Sequence, residues 1–367
     1  MEEVWQIKNV KTKIDHDSKN VGGFDRRPWK CRANISVNSG GIQMRMKKRI
    51  AILAAVTAIC LLGSGCSAIS GKKQISDVDV VTTVLNAYQQ GDYESMKPYL
   101  DEDSKFHPML AAVTAENATA MDKVYQEAYA LTKNFTYTAE AVEGEEKWGH
   151  VKVHIQTNNI VSGISDSMAE AIAEQVKNGG DSFYDVPTWL MAGLKSGEAV
   201  DEEFVVTVTL INKKKTISTQ TGELFSVVSG GFSEYMNLSM TRCTDEGEQY
   251  DIVSSGDEIK AMLEESVVDA EPEELTEEYL TAFADTFGTL PGVFVKAEVK
   301  DEEHLLIRLG FNMDTASSKD LADMGIISDR LTTGGGHLSL DSTIRGFEET
   351  GMTCVTEDYS QTKSDSE

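Results

Sequence analysis

His150 and His154 are four residues apart, the spacing at which two imidazoles share one face of a helix and clasp a metal. Their neighbours forbid that geometry. Val151, Val153 and Ile155 alternate with His150, Lys152 and His154, a period of two that reads as a strand. On a strand the two rings share a face but stand several ångströms apart, with the Lys152 cation between them. The expectation is a solvated strand face and no metal site. The carboxylates offer no clearer start. With 60 Asp and Glu against 34 Lys and Arg, acidic pairs are common and none is marked out as a general acid and base. Glu145-Glu146 and Asp301-Glu302-Glu303 fall at expected hairpin turns, where they read as solubilising charge rather than calcium ligands. No GxSxG, GxxxxGK[ST], strand-to-helix GxGxxG or CxxC occurs. Gly334-Gly335-Gly336 has no following lysine and reads as a bend. The chain is expected to lack catalysis and to carry no cofactor.

Cysteine carries more information. Lys47-Lys48-Arg49 is basic, Ile50 to Leu62 is an apolar run broken only by Thr57, and Gly63-Ser64-Gly65 leads into Cys66. Crossing a bilayer as a helix takes about 20 apolar residues, so the run is too short to span but suits a signal segment. The order resembles a bacterial lipoprotein signal peptide over residues 44–65. The resemblance implies cleavage after Gly65 and a diacylglycerol on Cys66, two acyl chains being enough for stable anchoring. It departs from the usual pattern at Gly63, where leucine is the rule; Leu62 lies one position further back. An ordinary secretory signal is the alternative. Residues 66–75 then form a short polar tether. Residues 1–43, ahead of the starts at Met44 or Met46, are expected to be a spurious leader or a disordered extension. On this reading the localisation is the cell membrane, lipid-anchored on its extracytoplasmic face.

If Cys66 carries lipid, Cys243 and Cys354 remain as a pair in a compartment where disulfides persist. They are expected to be bridged, the alternative being two reduced, buried thiols. The net charge of −26 argues against nucleic acid and anionic headgroups as partners. Residues 1–65 hold 12 Lys and Arg against 5 Asp and Glu, so residues 66–367 are more acidic still.

The patterning predicts an α+β chain of two domains, each with helices packed on a mainly antiparallel sheet. In residues 76–237, Val81, Val84, Leu85 and Tyr88 mark a first helix ended by Gly91. Helices near 92–100, 115–133, 165–178, 186–194 and 224–235 are expected, with strands around 135–141, 150–155, 203–211 and 216–221. The stretches "VVTTVLNAYQQGDYESMKPYL" and "WGHVKVHIQTNN" resemble small lipoprotein domains of the cystatin-like or nuclear-transport-factor-like class, which implies a sheet curved into a cone. Phe135, Tyr137 and Trp148 are expected to pack in its core, the alternative being the mouth of a pocket. Residues 238–355 are similar to the YehR-like lipoprotein domain in "SSGDEIKAML" (254–263), "GTLPGVFVKAEVKDEEHLLIRLGFNMD" (288–314) and "ISDRLTTGGGHLSLDSTIRGFEETGMTC" (327–354). A small lipid-anchored α+β domain is implied, with no established activity. Residues 356–367 are expected to be a disordered tail. The function expected is a non-catalytic binding or scaffold module at the cell envelope, with an envelope protein or small ligand as partner. The alternative is a hydrolase or isomerase using a pocket in residues 76–237.

Overall fold

The computed structural model describes residues 75–100, 106–143, 149–211, 213–217, 221–323 and 337–359. Cys66, the signal segment, Trp148, Glu145-Glu146 and Gly334-Gly335-Gly336 lie outside them.

The first half of the chain builds on α1 (Asp77–Gln90). Ser76 accepts from the Asp79 amide at 3.0 Å while Asp79 accepts from the Ser76 amide at 3.2 Å, a reciprocal N-terminal cap. Gly91, at φ +70°, closes the helix in the left-handed region. The short α2 (Tyr93–Met96) follows, capped by Asp92. Next comes α3 (Phe106–Val113), which the sequence reading lacked. Its residues are apolar almost all round, so no stripe reveals it. The expected long helix is α4 (Ala120–Thr132), and it starts late because Thr119 caps it. Strands β1 (Thr136–Val142), β2 (Gly149–Asn158), β3 (Ala199–Ile211) and β4 (Lys214–Ile217) form a four-stranded antiparallel sheet in that order. The last begins two residues earlier than expected. Helices α5 (Ile164–Asn178) and α6 (Val186–Gly193) connect β2 to β3. α7 (Thr221–Val228) leads to the second half.

An aromatic cluster packs in the interior of this half. Tyr88 is fully buried and meets Phe106, Tyr129 and Phe225 edge-on at 5.6, 5.5 and 6.5 Å. Phe135 packs beside it, and Tyr137 donates to Asn86 Oδ1 at 2.9 Å.

The second half is a six-stranded antiparallel sheet made of β5 (Leu238–Thr244), β6 (Glu248–Ser255), β7 (Glu258–Asp269), β8 (Val293–Val299), β9 (His304–Asn312) and β10 (Thr353–Asp358). The order across it is β10-β5-β6-β7-β9-β8. Helices α8 (Glu277–Phe287), α9 (Ser318–Asp323) and α10 (Leu340–Thr350) are interspersed. An α+β architecture with two antiparallel sheets is therefore present. Strand β10 reaches Asp358, three residues into the stretch expected to be a disordered tail, because it pairs with β5 from Cys354↔Cys243 to Asp358↔Ser239. The central strand β7 was not foreseen. Both its faces are covered, which removes the alternation that betrays a half-buried strand.

One continuous apolar core runs from Val80 on α1 through Ile172 and Val176 on α5 to Ala261 and Leu263 on β7. α5 lies against β7, β9 and β8, covering the inner face of the six-stranded sheet. The approach is close at Gly310 on β9. A Cβ there would fall 2.2 Å from Ile172 Cγ2 and 2.9 Å from Val176 Cγ2. Both methyls branch next to the helix backbone and have little room to yield. Polar contacts complete the seam. Asn312 Nδ2 donates to the Ser165 carbonyl at 2.8 Å, and Tyr184 donates to the buried Asp251 at 2.8 Å.

Gly310→Ala should therefore force α5 off the sheet and destabilise the protein by about 1–3 kcal/mol, the usual effect of overpacking. Urea unfolding midpoints for the two proteins check this, and equal midpoints would mean the helix is not seated there.

Candidate binding site

The strand reading of the histidine segment holds. β2 pairs with β1 and β3, and Val151, Val153 and Ile155 are fully buried. His150, Lys152 and His154 share the opposite, half-exposed face. Cross-strand partners occupy each of them. Lys152 pairs with Glu203 at 2.8 Å, His154 contacts Asp201, and His150 Nδ1 lies 3.5 Å from the Thr207 hydroxyl. Gln156 and His154 together hold the Asp201 carboxyl below its usual range. At the expected turn, Asp301 Oδ1 accepts from the Glu303 amide at 3.0 Å and meets His304 Nδ1 at 2.7 Å. No cluster of three or more His, Cys, Asp or Glu fit for a metal occurs among the described residues.

Cys243 and Cys354 face each other across β5 and β10 and are joined as a disulfide. They open a row across the outer face of the six-stranded sheet. Register partners place Tyr250 on β6 next to Cys243, Glu264 on β7 next to Tyr250, Leu309 on β9 next to Glu264, and Val295 on β8 at the far edge. Side chains directly opposite in an antiparallel ladder point the same way. α10 covers the first part of the row, where Phe347 stacks on Tyr250 at 4.4 Å. α8 covers the far edge, over β8.

Two positions on β7 concentrate buried polarity. The ladder with β6 slips between Val253, opposite Ala261, and Ser254, opposite Ile259, leaving Lys260 as the extra residue. Bulges re-aim side chains, and this one turns Lys260 into a cluster drawn from distant parts of the chain. Its ammonium, 3% exposed, lies 2.9 Å from Glu258, 3.8 Å from Asp314 and 5.4 Å from the Tyr235 ring centroid. Tyr235 donates to Asp314, and His337 reaches Glu258 at 3.1 Å. Each charge is answered inside the cluster, which makes it a clasp between the end of the first half and the second sheet. Glu264 differs. It is 1% exposed, and its Oε1 and the neighbouring Ser266 Oγ are without hydrogen-bond partners. Burial pushes its carboxyl up to about 8, the Glu248 charge adds to the push, and the hydrogen bond with Tyr250 opposes it.

A surface feature of this face, among the described residues, is a groove of about 320 Å³ between α8 and β8, lined by Leu280 and Ala284 above and Val295 and Ala297 below. α8 is amphipathic, with Thr276 as its cap. Of its apolar side only Phe287 is fully buried, while Leu280, Phe283 and Ala284 are half-covered. Glu277 and Asp285 stand on the rim. Lys296 lines the floor, but its ammonium is engaged by Glu298 at 2.6 Å and by the Lys177 carbonyl at 2.7 Å. Sequence patterning finds the helix and its stripe. It has no means of showing that the stripe overhangs its sheet.

No protein-family model matches the chain, and no curated protein matches it. Two solved NMR structures are similar to part of it. One is a protein from Streptococcus pneumoniae TIGR4, 14% identical, covering 33% of this chain and 87% of that one with a TM-score of 0.26. The other is the YehR protein of E. coli, 16% identical, covering 32% and 90% with a TM-score of 0.26.

Glu264 gives a pH prediction of definite sign. As pH rises past the ordinary 4.5, the unfolded chain gives up this proton while the folded chain keeps it until about 8. The folded state binds more protons in that window, so Glu264 lowers stability as pH climbs through it, and the loss levels off above. Glu264→Gln should flatten this part of the profile and raise stability at pH 8 by on the order of a few kcal/mol. Urea midpoints of both proteins at pH 5 and pH 8 measure it, and parallel profiles would rule the residue out.

Proposed function

We propose that this chain is a lipid-anchored binding module on the outer face of a cell membrane, held by a diacylglycerol on Cys66. The observation that carries the reading is the Cys243–Cys354 bond. Disulfides persist outside the reducing cytosol, and the basic, apolar, small-residue order ending at Cys66 supports the same address independently. Among the described residues no helix is long and apolar enough to cross a membrane, so the tether would fall to the lipid. The acidic surface suits a cationic partner better than an anionic one. Binding rather than chemistry is favoured by two observations. Tyr88, Phe106, Phe135 and Phe225 pack together inside the first half, where the alternative, a cone-pocket hydrolase or isomerase, would place its cavity. The Lys260 cluster answers its own charges. The open groove between α8 and β8 is the place where a small ligand or an envelope protein would sit.

Cys66→Ser should move the protein from the membrane fraction to the soluble fraction in its native host; retention at the membrane would refute the tether. Non-reducing peptide mapping should recover Cys243 linked to Cys354. Replacing both by Ala should lower stability by roughly 4–5 kcal/mol in the chain-entropy view of a long closed loop. Two free thiols in the native protein would remove the argument for an extracytoplasmic address.

A further inference from the structure

We propose that the groove between α8 and β8 takes an extended peptide with alternating apolar side chains and flanking basic residues, which adds to β8 as a seventh strand. The proposal rests on the binding-module reading and names the occupant of its site. Four observations converge on it. First, β8 ends the sheet. It pairs with β9 alone, and no strand meets its other edge among the described residues. Such an edge presents a row of backbone donors and acceptors to any extended chain. Seven residues, Val293–Val299, make it long enough to hold a peptide in register.

Second, the charge that the edge carries is already engaged, Lys296 by Glu298 and Glu298 also by Arg308. An outward lysine discourages pairing on many natural edge strands. Lys296 is the lysine of β8, and it is turned inward to Glu298 and the Lys177 carbonyl. Third, the groove beside the edge is apolar in its walls. Leu280 and Ala284 overhang Val295 and Ala297, and Val299 is 47% exposed at the strand end. A strand added to β8 would direct every second side chain under α8. This is the β-augmentation mode, in which main-chain hydrogen bonds supply affinity and alternate pockets supply selectivity.

Fourth, charge selects the occupant. Glu277 and Asp285 stand at the rim, and neither forms an ion pair among the described residues. The loop before α8 adds Glu271 and Glu273, both exposed. With Lys296 already neutralised, the rim field is negative. It attracts Lys or Arg and repels acidic peptides. Eight residues of helix separate Glu277 from Asp285, about 12 Å, the reach of roughly four strand residues. Two basic residues flanking an apolar pair therefore suit the rim.

The test uses the purified full chain and a fluorescein-labelled heptapeptide, Thr-Lys-Val-Thr-Val-Lys-Thr, whose lysines stand four residues apart, read by fluorescence anisotropy. Saturable binding is expected, along with slowed amide hydrogen exchange across Val293–Val299. A peptide with Glu in place of both Lys should bind at least tenfold more weakly. The double variant Glu277→Lys/Asp285→Lys, on exposed helix positions, should weaken binding of the Lys peptide at least tenfold. Ala284→Trp, which fills the groove, should do the same, with a thermal melt confirming that each variant is folded. If Ala284→Trp fails to fold, the charge-reversed variant still decides the matter. Absence of saturable binding overturns the proposal. So does equal affinity in wild type and charge-reversed protein, which marks diffuse attraction to an acidic surface, and so does unchanged exchange at β8. A chain that stays at the membrane yet ignores the peptide sinks this docking site and leaves the anchored module standing. A chain that binds the peptide but is soluble in cells sinks the anchor alone.

Discussion

A sheet of six strands has two faces, and an apolar face left in water costs about 25 cal/mol for every square ångström it fails to bury. The way this chain covers its six-stranded sheet decides most of what else it does. The inner face is covered by α5, a helix from the first half of the chain, and Gly310 lets that helix sit directly on β9. The second half consequently does not own its inner wall. Val253, Ala261 and Leu263 belong to the same apolar core as Val80 and Tyr88. The polar residues of the seam stem from the same contact. Once Asp251 is 1% exposed, it must find donors, and it takes Arg242 Nε at 2.6 Å, Gln249 Nε2 at 2.6 Å and the Tyr184 hydroxyl at 2.8 Å. The arginine is itself 5.4 Å from the Tyr184 ring. That carboxylate is compensated on all sides, whereas Glu264 one strand away on the outer face is not. Without such partners, burial drives the Glu264 carboxyl up.

The outer face is covered differently at its two edges. At the β10 edge the cover is permanent. The disulfide joins the last strand to β5, and α10 is pinned above by the stacking of Phe347 on Tyr250 and by Ser339, whose hydroxyl accepts from the Ser342 amide at 3.2 Å and donates to Asp257 at 3.0 and 2.9 Å. At the β8 edge the cover is partial. α8 reaches over β8 with one residue, Phe287, fully buried, and Phe283 packed against it at 5.1 Å. The difference is one of cross-linking and side-chain depth rather than of secondary structure, since both helices are capped and amphipathic.

Much of this was legible in the sequence, and the unreadable parts have specific causes. The N-caps Ser76, Thr276 and Ser339 are of a legible kind, because a short polar side chain there serves the local need of the first helical turn. Val151, Val153 and Ile155 announce β2 because that sheet has one wet face. The pairing of Cys243 with Cys354 was an expectation reached by elimination, on the premise that Cys66 carries lipid. β7 was hidden for the opposite reason. Lys260, Glu264 and Ser266 are polar yet 2%, 1% and 0% exposed, so hydropathy places them at the surface when packing places them inside. The bulge at Lys260 compounds this by breaking the period of two. α3 was hidden by being apolar on every side. The groove was invisible for a further reason: sequence shows that α8 has an apolar stripe, but not how far α8 stands above β8.

The partial cover of β8 also bears on why the acidic charge is tolerated. Net charge of −26 disfavours a compact chain through self-repulsion but suppresses association between copies. A half-apolar edge strand is ordinarily a hazard, because a second copy can pair with it as readily as a ligand can. Here every second copy would bring the same acidic rim, Glu277 and Asp285 with Glu271 and Glu273 nearby, against its own image. Like charges placed opposite one another across a forming ladder oppose pairing, and at close range that opposition is screened only partly by salt. A basic peptide meets no such opposition. The same carboxylates that keep the edge from pairing with itself thus leave it free for a partner of opposite sign.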